Sequence, residues 1–159
     1  MNGTIQKNKK IEIELTAKEF DSVHNKVEKF KDPEFKDFTE KINGQTAYGA
    51  MYGNPEMQFE SLKISIDSVQ LTIPDTVYKN FFDPNFCEYY GFVRNISAYT
   101  SLDGKYIYLY IYGGNAADTY FAKLIFDHKK FIAKWTVDYG PLSSFGCFSD
   151  RFIGFWQKE

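Results

Sequence analysis

The sequence predicts a single α+β domain, with two or three helices packed on a mainly antiparallel sheet that centres on a C-terminal β-meander. Three observations predict it. Residues 105–112, Lys-Tyr-Ile-Tyr-Leu-Tyr-Ile-Tyr, alternate with a period of two that only a strand can hold, placing Ile107, Leu109 and Ile111 on one side and Tyr106, Tyr108, Tyr110 and Tyr112 on the other. Apolar runs at 93–100, 119–126 and 130–137 flank that strand and are joined to it by short polar or glycine-bearing connections of hairpin size. Ahead of the meander, Phe20, Val23, Val27 and Phe30, then Phe35, Phe38 and Ile42, recur at helical spacing.

Taken in order, residues 1–9 are polar and read as a frayed tail, with the domain at 10–159. Ile11, Ile13 and Leu15 alternate with Glu12 and Glu14 as a short edge strand. Thr16-Ala-Lys-Glu19 then has the form of a capping box, in which hydroxyl and carboxylate satisfy the free amides of a helix start, and a helix is predicted over about 17–30. Asp32 as N-cap and Pro33 at the first helical position begin a second helix that Gly44 stops. Residues 45–56 read as a loop. Two strands, 59–66 and 69–73, turn about Asp67-Ser68, and 74–82 reads as a short third helix with Val77, Tyr78, Phe81 and Phe82 at helical spacing. In the last two strands of the meander, Tyr120, Ala122, Leu124 and Phe126 share a face, as do Phe131, Ala133, Trp135 and Val137. The lysine-bearing sets, Thr119, Phe121, Lys123 and Ile125 with Ile132, Lys134, Thr136 and Asp138, are matched by register to the tyrosine side. On this register Ile107, Leu109, Ile111, Leu124, Trp135 and Val137 form one buried cluster. Residues 139–148 read as a loop and 151–156 as a closing strand.

A chain of 159 residues suits one domain with one core, and its sixteen Phe, twelve Tyr and two Trp make that core aromatic. Net charge is −2 with no basic face, so nucleic acid is not an expected partner. No stretch resembles a signal peptide or reaches membrane-spanning length, and a cytoplasmic protein away from membranes is expected. Cys87 and Cys147 sit in unlike contexts and read as free thiols in a reducing compartment. His24 and His128 are the only imidazoles, neither at a metal-ligand spacing, and no cofactor motif is present, Gly113-Gly114 reading as a turn. Asp118, Asp138 and Asp150 fall near strand ends or loops and read as turn-forming acids. With no motif that identifies a reaction, a binding protein is favoured over an enzyme.

The tyrosine side then has two uses. It is a bed for the predicted helices, with hydroxyls reaching the rim, or a partly open face in which Tyr108, Tyr110, Phe121, Lys123 and Lys134 recognise a protein partner, tyrosine giving large contact area for little rotamer entropy. A homo-oligomer joined through the same side would use it differently. As a short, acidic, aromatic-rich α+β chain without catalytic motifs, the sequence resembles immunity proteins of bacterial toxin systems. That resemblance covers the overall layout and implies a protein that neutralises a toxin domain by occluding its active site. The rival expectation is a small-ligand or enzymatic α+β cone, as in nuclear-transport-factor-2-like proteins, whose curved sheet wraps a long helix around a pocket.

Overall fold

The alternation that begins at Ile11 does not stop at Leu15. In the structure, a computed structural model describing residues 9–31, 33–86, 89–90, 93–115 and 118–138, Ile11–Glu19 is one strand, β1. Two short strands follow, β2 (Val27–Lys29) and β3 (Thr39–Ile42), then β4 (Gln45–Thr46) and the long β5 (Met57–Ile66). β1 pairs antiparallel with β5 along its whole length, from Ile11 opposite Ile66 to Glu19 opposite Met57. The Thr16 hydroxyl lies 2.8 Å from that of Ser61 across the ladder. It therefore serves a cross-strand contact rather than a helix cap, because a full strand of ladder bonds outweighs one capping box. A bulge with Glu60 as the extra residue lets Phe59 point to the same interior as Leu62, Ile64 and Ile66.

The α+β expectation is thus overturned. The described part of the chain is nearly all β, and its helical residues are confined to one 3-10 turn, Asp75–Val77, and Asp118. The first predicted helix is replaced by β1, a turn and β2. Its apolar stripe is split: Phe20 packs edge-on against Phe82 at 5.8 Å, while Val23 stays 86% exposed. In place of the second helix stand a turn at 33–37 and the β3–β4 hairpin. Asn43-Gly44, with φ of 53° and 77°, makes its two-residue tip, the residue pair that left-handed hairpin turns require. Asp67-Ser68, at φ 48° and 69°, is likewise a hairpin tip, as predicted, joining β5 to β6 (Val69–Gln70). The third predicted helix is reduced to the 3-10 turn, although Val77, Tyr78, Phe81 and Phe82 are all buried.

A small hairpin, β7 (Tyr89–Tyr90) and β8 (Val93–Arg94), precedes the meander of β9 (Ile96–Thr100), β10 (Tyr106–Gly113), β11 (Tyr120–Asp127) and β12 (Phe131–Asp138), a four-stranded antiparallel sheet. This sheet and the β1-β5-β6 sheet share one core, in which Phe59, Leu62, Ile64 and Ile66 meet Ile107, Leu109, Ile111, Leu124 and Phe126. These two antiparallel sheets pack on each other through their inward side chains. No described helix is long and apolar enough to cross a membrane.

The predicted register of β12 is corrected by one residue. Phe131 pairs with Phe126 but Ala133 with Ile125, so Ile132 is a bulge and the parity of the strand reverses beyond it. Lys134 consequently lies opposite Leu124 on the core side, and Trp135 opposite Lys123 on the tyrosine side. Of the six residues expected in one cluster, Ile107, Leu109, Ile111 and Leu124 are in it; Trp135 is 57% exposed and Val137 is outside it. The Asp32 cap, Cys87, Cys147, Asp150, the tail through Asn8 and the predicted loop and strand after Asp138 lie outside the described residues.

Candidate functional site

Cross-strand pairing lays the outer side of the meander out in rows. Tyr99, Tyr108, Ile125 and Ala133 form one, Ser97, Tyr110, Lys123 and Trp135 the next, and Tyr112, Phe121 and Val137 a third. Within and between rows the rings touch: Tyr99 meets Tyr110 edge-on at 5.8 Å, Tyr106 lies along Tyr108 at 6.5 Å, and Tyr112 leans on Phe121 at 4.6 Å. Lys123 is sunk among them, 1% exposed, its ammonium 4.5 Å from the Tyr108 ring centre and 5.3 Å from that of Tyr110. Burial holds that amino group down at about 8. The same burial raises the Tyr108 and Tyr110 phenols above their ordinary range. Around this half-buried centre Tyr99, Tyr106 and Trp135 remain 60%, 39% and 57% exposed.

Four of the five predicted partner-binding residues, Tyr108, Tyr110, Phe121 and Lys123, therefore share the face. Lys134 does not. Its Nζ donates to the Thr76 carbonyl at 3.1 Å and the Asn80 side-chain oxygen at 2.9 Å, over the Phe81 ring. Two members were missed. Tyr99 was legible by counting strand parity back from the Ser101–Gly104 turn, whereas Trp135 depends on the Ile132 bulge. No helix among the described residues lies on this side, so the bed for helices is also set aside.

Elsewhere, polar groups serve the backbone. A cleft of about 410 Å³ is lined by Asp83, Asp118, Glu56, Asn115 and Tyr52 among others. Asp83 Oδ1 accepts from the amides of Glu56 at 2.8 Å and Met57 at 2.7 Å, and Asp118 Oδ2 from that of Tyr52 at 2.9 Å. Both carboxyls are raised, chiefly by burial. They clamp the loop before β5, and among the described residues no nucleophile stands beside a base there. His24 Nδ1 is 2.6 Å from the Asp21 carboxylate in an exposed turn, and Lys9 donates to His128 Nδ1 at 2.7 Å. Asp138 ends β12. No group of three or more metal-ligating side chains occurs among the described residues.

Compared with models of protein families, with curated proteins and with solved structures, the chain finds no match.

Proposed function

We propose that the chain is a non-catalytic binding module that docks a folded protein partner on the outer side of its meander, acting in the cytoplasm as an immunity protein that covers a toxin domain. The observation that supports this reading is the exposure of Tyr99, Tyr106 and Trp135 on one sheet face around half-buried Tyr108 and Tyr110. Large aromatics left in water at this density mark interaction surfaces, and Tyr and Trp are the residues that most often anchor them. Lys123 beneath the rings fixes their orientation, so the face is presented with little rotamer entropy left to lose. A cone-like enzyme is not retained, since it needs a long helix against the sheet and none lies there among the described residues.

The test is capture of the partner from the native host with the full chain, followed by titration of purified variants. Tyr110→Ala and Trp135→Ala are expected to weaken binding by about 2 kcal/mol or more, roughly thirtyfold. His24→Gln with His128→Gln should bind as the parent does. Parent-like affinity of both aromatic variants would remove the meander face from the interface.

A further inference from the structure

We infer that the outer edge of β9 is a strand-addition site that takes one extended segment of a partner polypeptide into the groove between β9 and β1. The inference stands apart from the aromatic face and rests on the backbone. Two other long edges carry devices that keep sheets from pairing: β1 has Glu12, Glu14, Lys18 and Glu19, and β12 has a bulge and a lysine, Lys134, turned inward. β9 has none of them. Its sequence, Ile-Ser-Ala-Tyr-Thr, holds no charge and no proline, and it pairs with β10 in unbroken register. Among the described residues, no strand pairs with its other side.

Ladder geometry says which groups that edge offers. The Tyr112 amide donates to the Asn95 carbonyl at 2.7 Å and the Ser101 amide to the Tyr106 carbonyl at 2.9 Å, one at each end of β9. Hydrogen-bonded pairs alternate in an antiparallel ladder, so Ser97 and Tyr99 face β10 while the N–H and C=O of Ile96, Ala98 and Thr100 face outward. An evenly alternating row of donors and acceptors is matched by another extended chain and by no small ligand.

Side chains complete the groove. Ala98 lies opposite Leu109 and Thr100 opposite Ile107, which puts both on the core side of the sheet, yet both are exposed. The space left, about 560 Å³, is lined by Ile11, Ile13, Ala98, Tyr99, Thr100 and Ile107. A strand added to β9 would set every second side chain into it, so the partner segment is apolar at alternate positions. At its Thr100 end the groove opens on a cleft bearing Lys9, Lys105 and Lys129 with Asp103 and Asp127. Asp103 is bound to Ser101 and Lys105, and Asp127 to the amides of Lys129 and Lys130, so both acids serve their own turns. The excess is basic, and an acidic residue at that end of the segment complements it.

The probe is the synthetic peptide acetyl-Glu-Thr-Val-Thr-Val-Thr-Val-amide, added to the full-length, isotope-labelled protein. Saturable shifts are expected at the Ile96, Ala98 and Thr100 amides, with their hydrogen exchange slowed at least tenfold. Ala98→Pro removes the central outward donor without touching the β10 ladder and should weaken binding tenfold or more; Ala98→Lys, which keeps the donor but fills the groove, should do the same if the proline variant fails to fold. Trp135→Ala, on the far side of the sheet, should bind the peptide as the parent does, which separates this site from the aromatic face. No saturable shift up to about 1 mM peptide, or parent-like binding by Ala98→Lys, overturns the inference. So does protection of those three amides before peptide is added: if independent of concentration, the chain's own residues fill the edge, and if concentration-dependent, a second copy does.

Discussion

Lys134 and Asn80 share a hydrogen bond of 2.9 Å, from the ammonium to the side-chain oxygen, that ties the last meander strand to the segment after the 3-10 turn. Lys134 also reaches the Thr76 carbonyl and lies 5.2 Å from the Phe81 ring centre, while Asn80 is only 8% exposed. Truncation as Lys134→Ala leaves a buried amide oxygen with one partner fewer, and should destabilise by about 1–3 kcal/mol in urea unfolding. Partner binding should not change. The opposite pattern, with stability intact and binding lost, would return Lys134 to the tyrosine side and undo the bulge at Ile132.

Lys123 makes the protein's stability depend on pH in the alkaline range. Its amino group titrates at about 8 in the folded chain against an ordinary 10.5. Below pH 8 the buried ammonium is charged and its cost is complete. Between the two values the unfolded chain still binds the proton that the folded chain has released, so stability rises with pH. Tyr108 and Tyr110, raised by burial, act in the opposite sense above about pH 10, where the unfolded phenols ionise first. The expected result is a rise in denaturation midpoint from pH 8 to about 10 that Lys123→Met abolishes while stabilising the protein at pH 7 by about 1 kcal/mol or more. A parent profile that is flat over that interval would contradict a buried ammonium.

The parts of the fold that were legible in the sequence are those where one residue pattern has one physical use. Tyr106 to Tyr112 cannot be a helix, and β10, β11 and β12 came through to within one residue, while β9 begins three residues later than predicted. The helices were misread because Phe20, Val27 and Phe30 fit a spacing whose alternative use depends on residues far away: β1 continues through Thr16 only because β5, forty or more positions on, offers it a ladder. The Asn43-Gly44 hairpin was a local signal passed over in favour of the glycine stop. The site was half legible for a related reason. Tyr108, Tyr110 and Phe121 follow from parity, but one extra residue at Ile132 exchanged Lys134 for Trp135, and a bulge leaves no mark in an alternating pattern of apolar and polar residues.

Tyr120 buries its hydroxyl along with its ring. The residue is fully buried, its ring stacked on Phe81 at 5.2 Å, and among the described residues the hydroxyl finds no hydrogen-bond partner. Burial raises the phenol well above its ordinary range. Tyr120→Phe keeps the stacking and removes an unpaired polar group, so it should stabilise by roughly 1 kcal/mol. Gly49→Ala is expected to do the reverse. At φ 87° its Cβ would stand 2.9 Å from the same ring and 2.6 Å from the Phe82 carbonyl oxygen. Thermal unfolding of the two variants reads both effects, and a loss above about 1 kcal/mol for Tyr120→Phe would reveal a partner for the hydroxyl.

Asp83 separates the acceptor role of a carboxyl from its charge. One oxygen takes the Glu56 and Met57 amides at the start of β5, and the residue sits at φ 46°, a left-handed conformation that Asp and Asn tolerate better than other side-chain-bearing residues. Burial is the main cause that raises its pKa, with the nearby Glu56 and Asp118 charges adding to it. Asp83→Ala loses the acceptor and the backbone preference together and should cost about 2–3 kcal/mol. Asp83→Asn keeps both and sheds the buried charge, so at pH 7 it should be at least as stable as the parent. The pH dependence follows from the same shift. From the ordinary 3.8 up through the raised folded value, the folded chain holds a proton that the unfolded chain has lost, so this group makes stability fall as pH rises and stay level beyond. The asparagine variant should lose that share of the slope. If it is instead destabilised at pH 7 as much as the alanine variant, the carboxylate charge itself holds the loop, and the burial cost assigned to Asp83 is wrong.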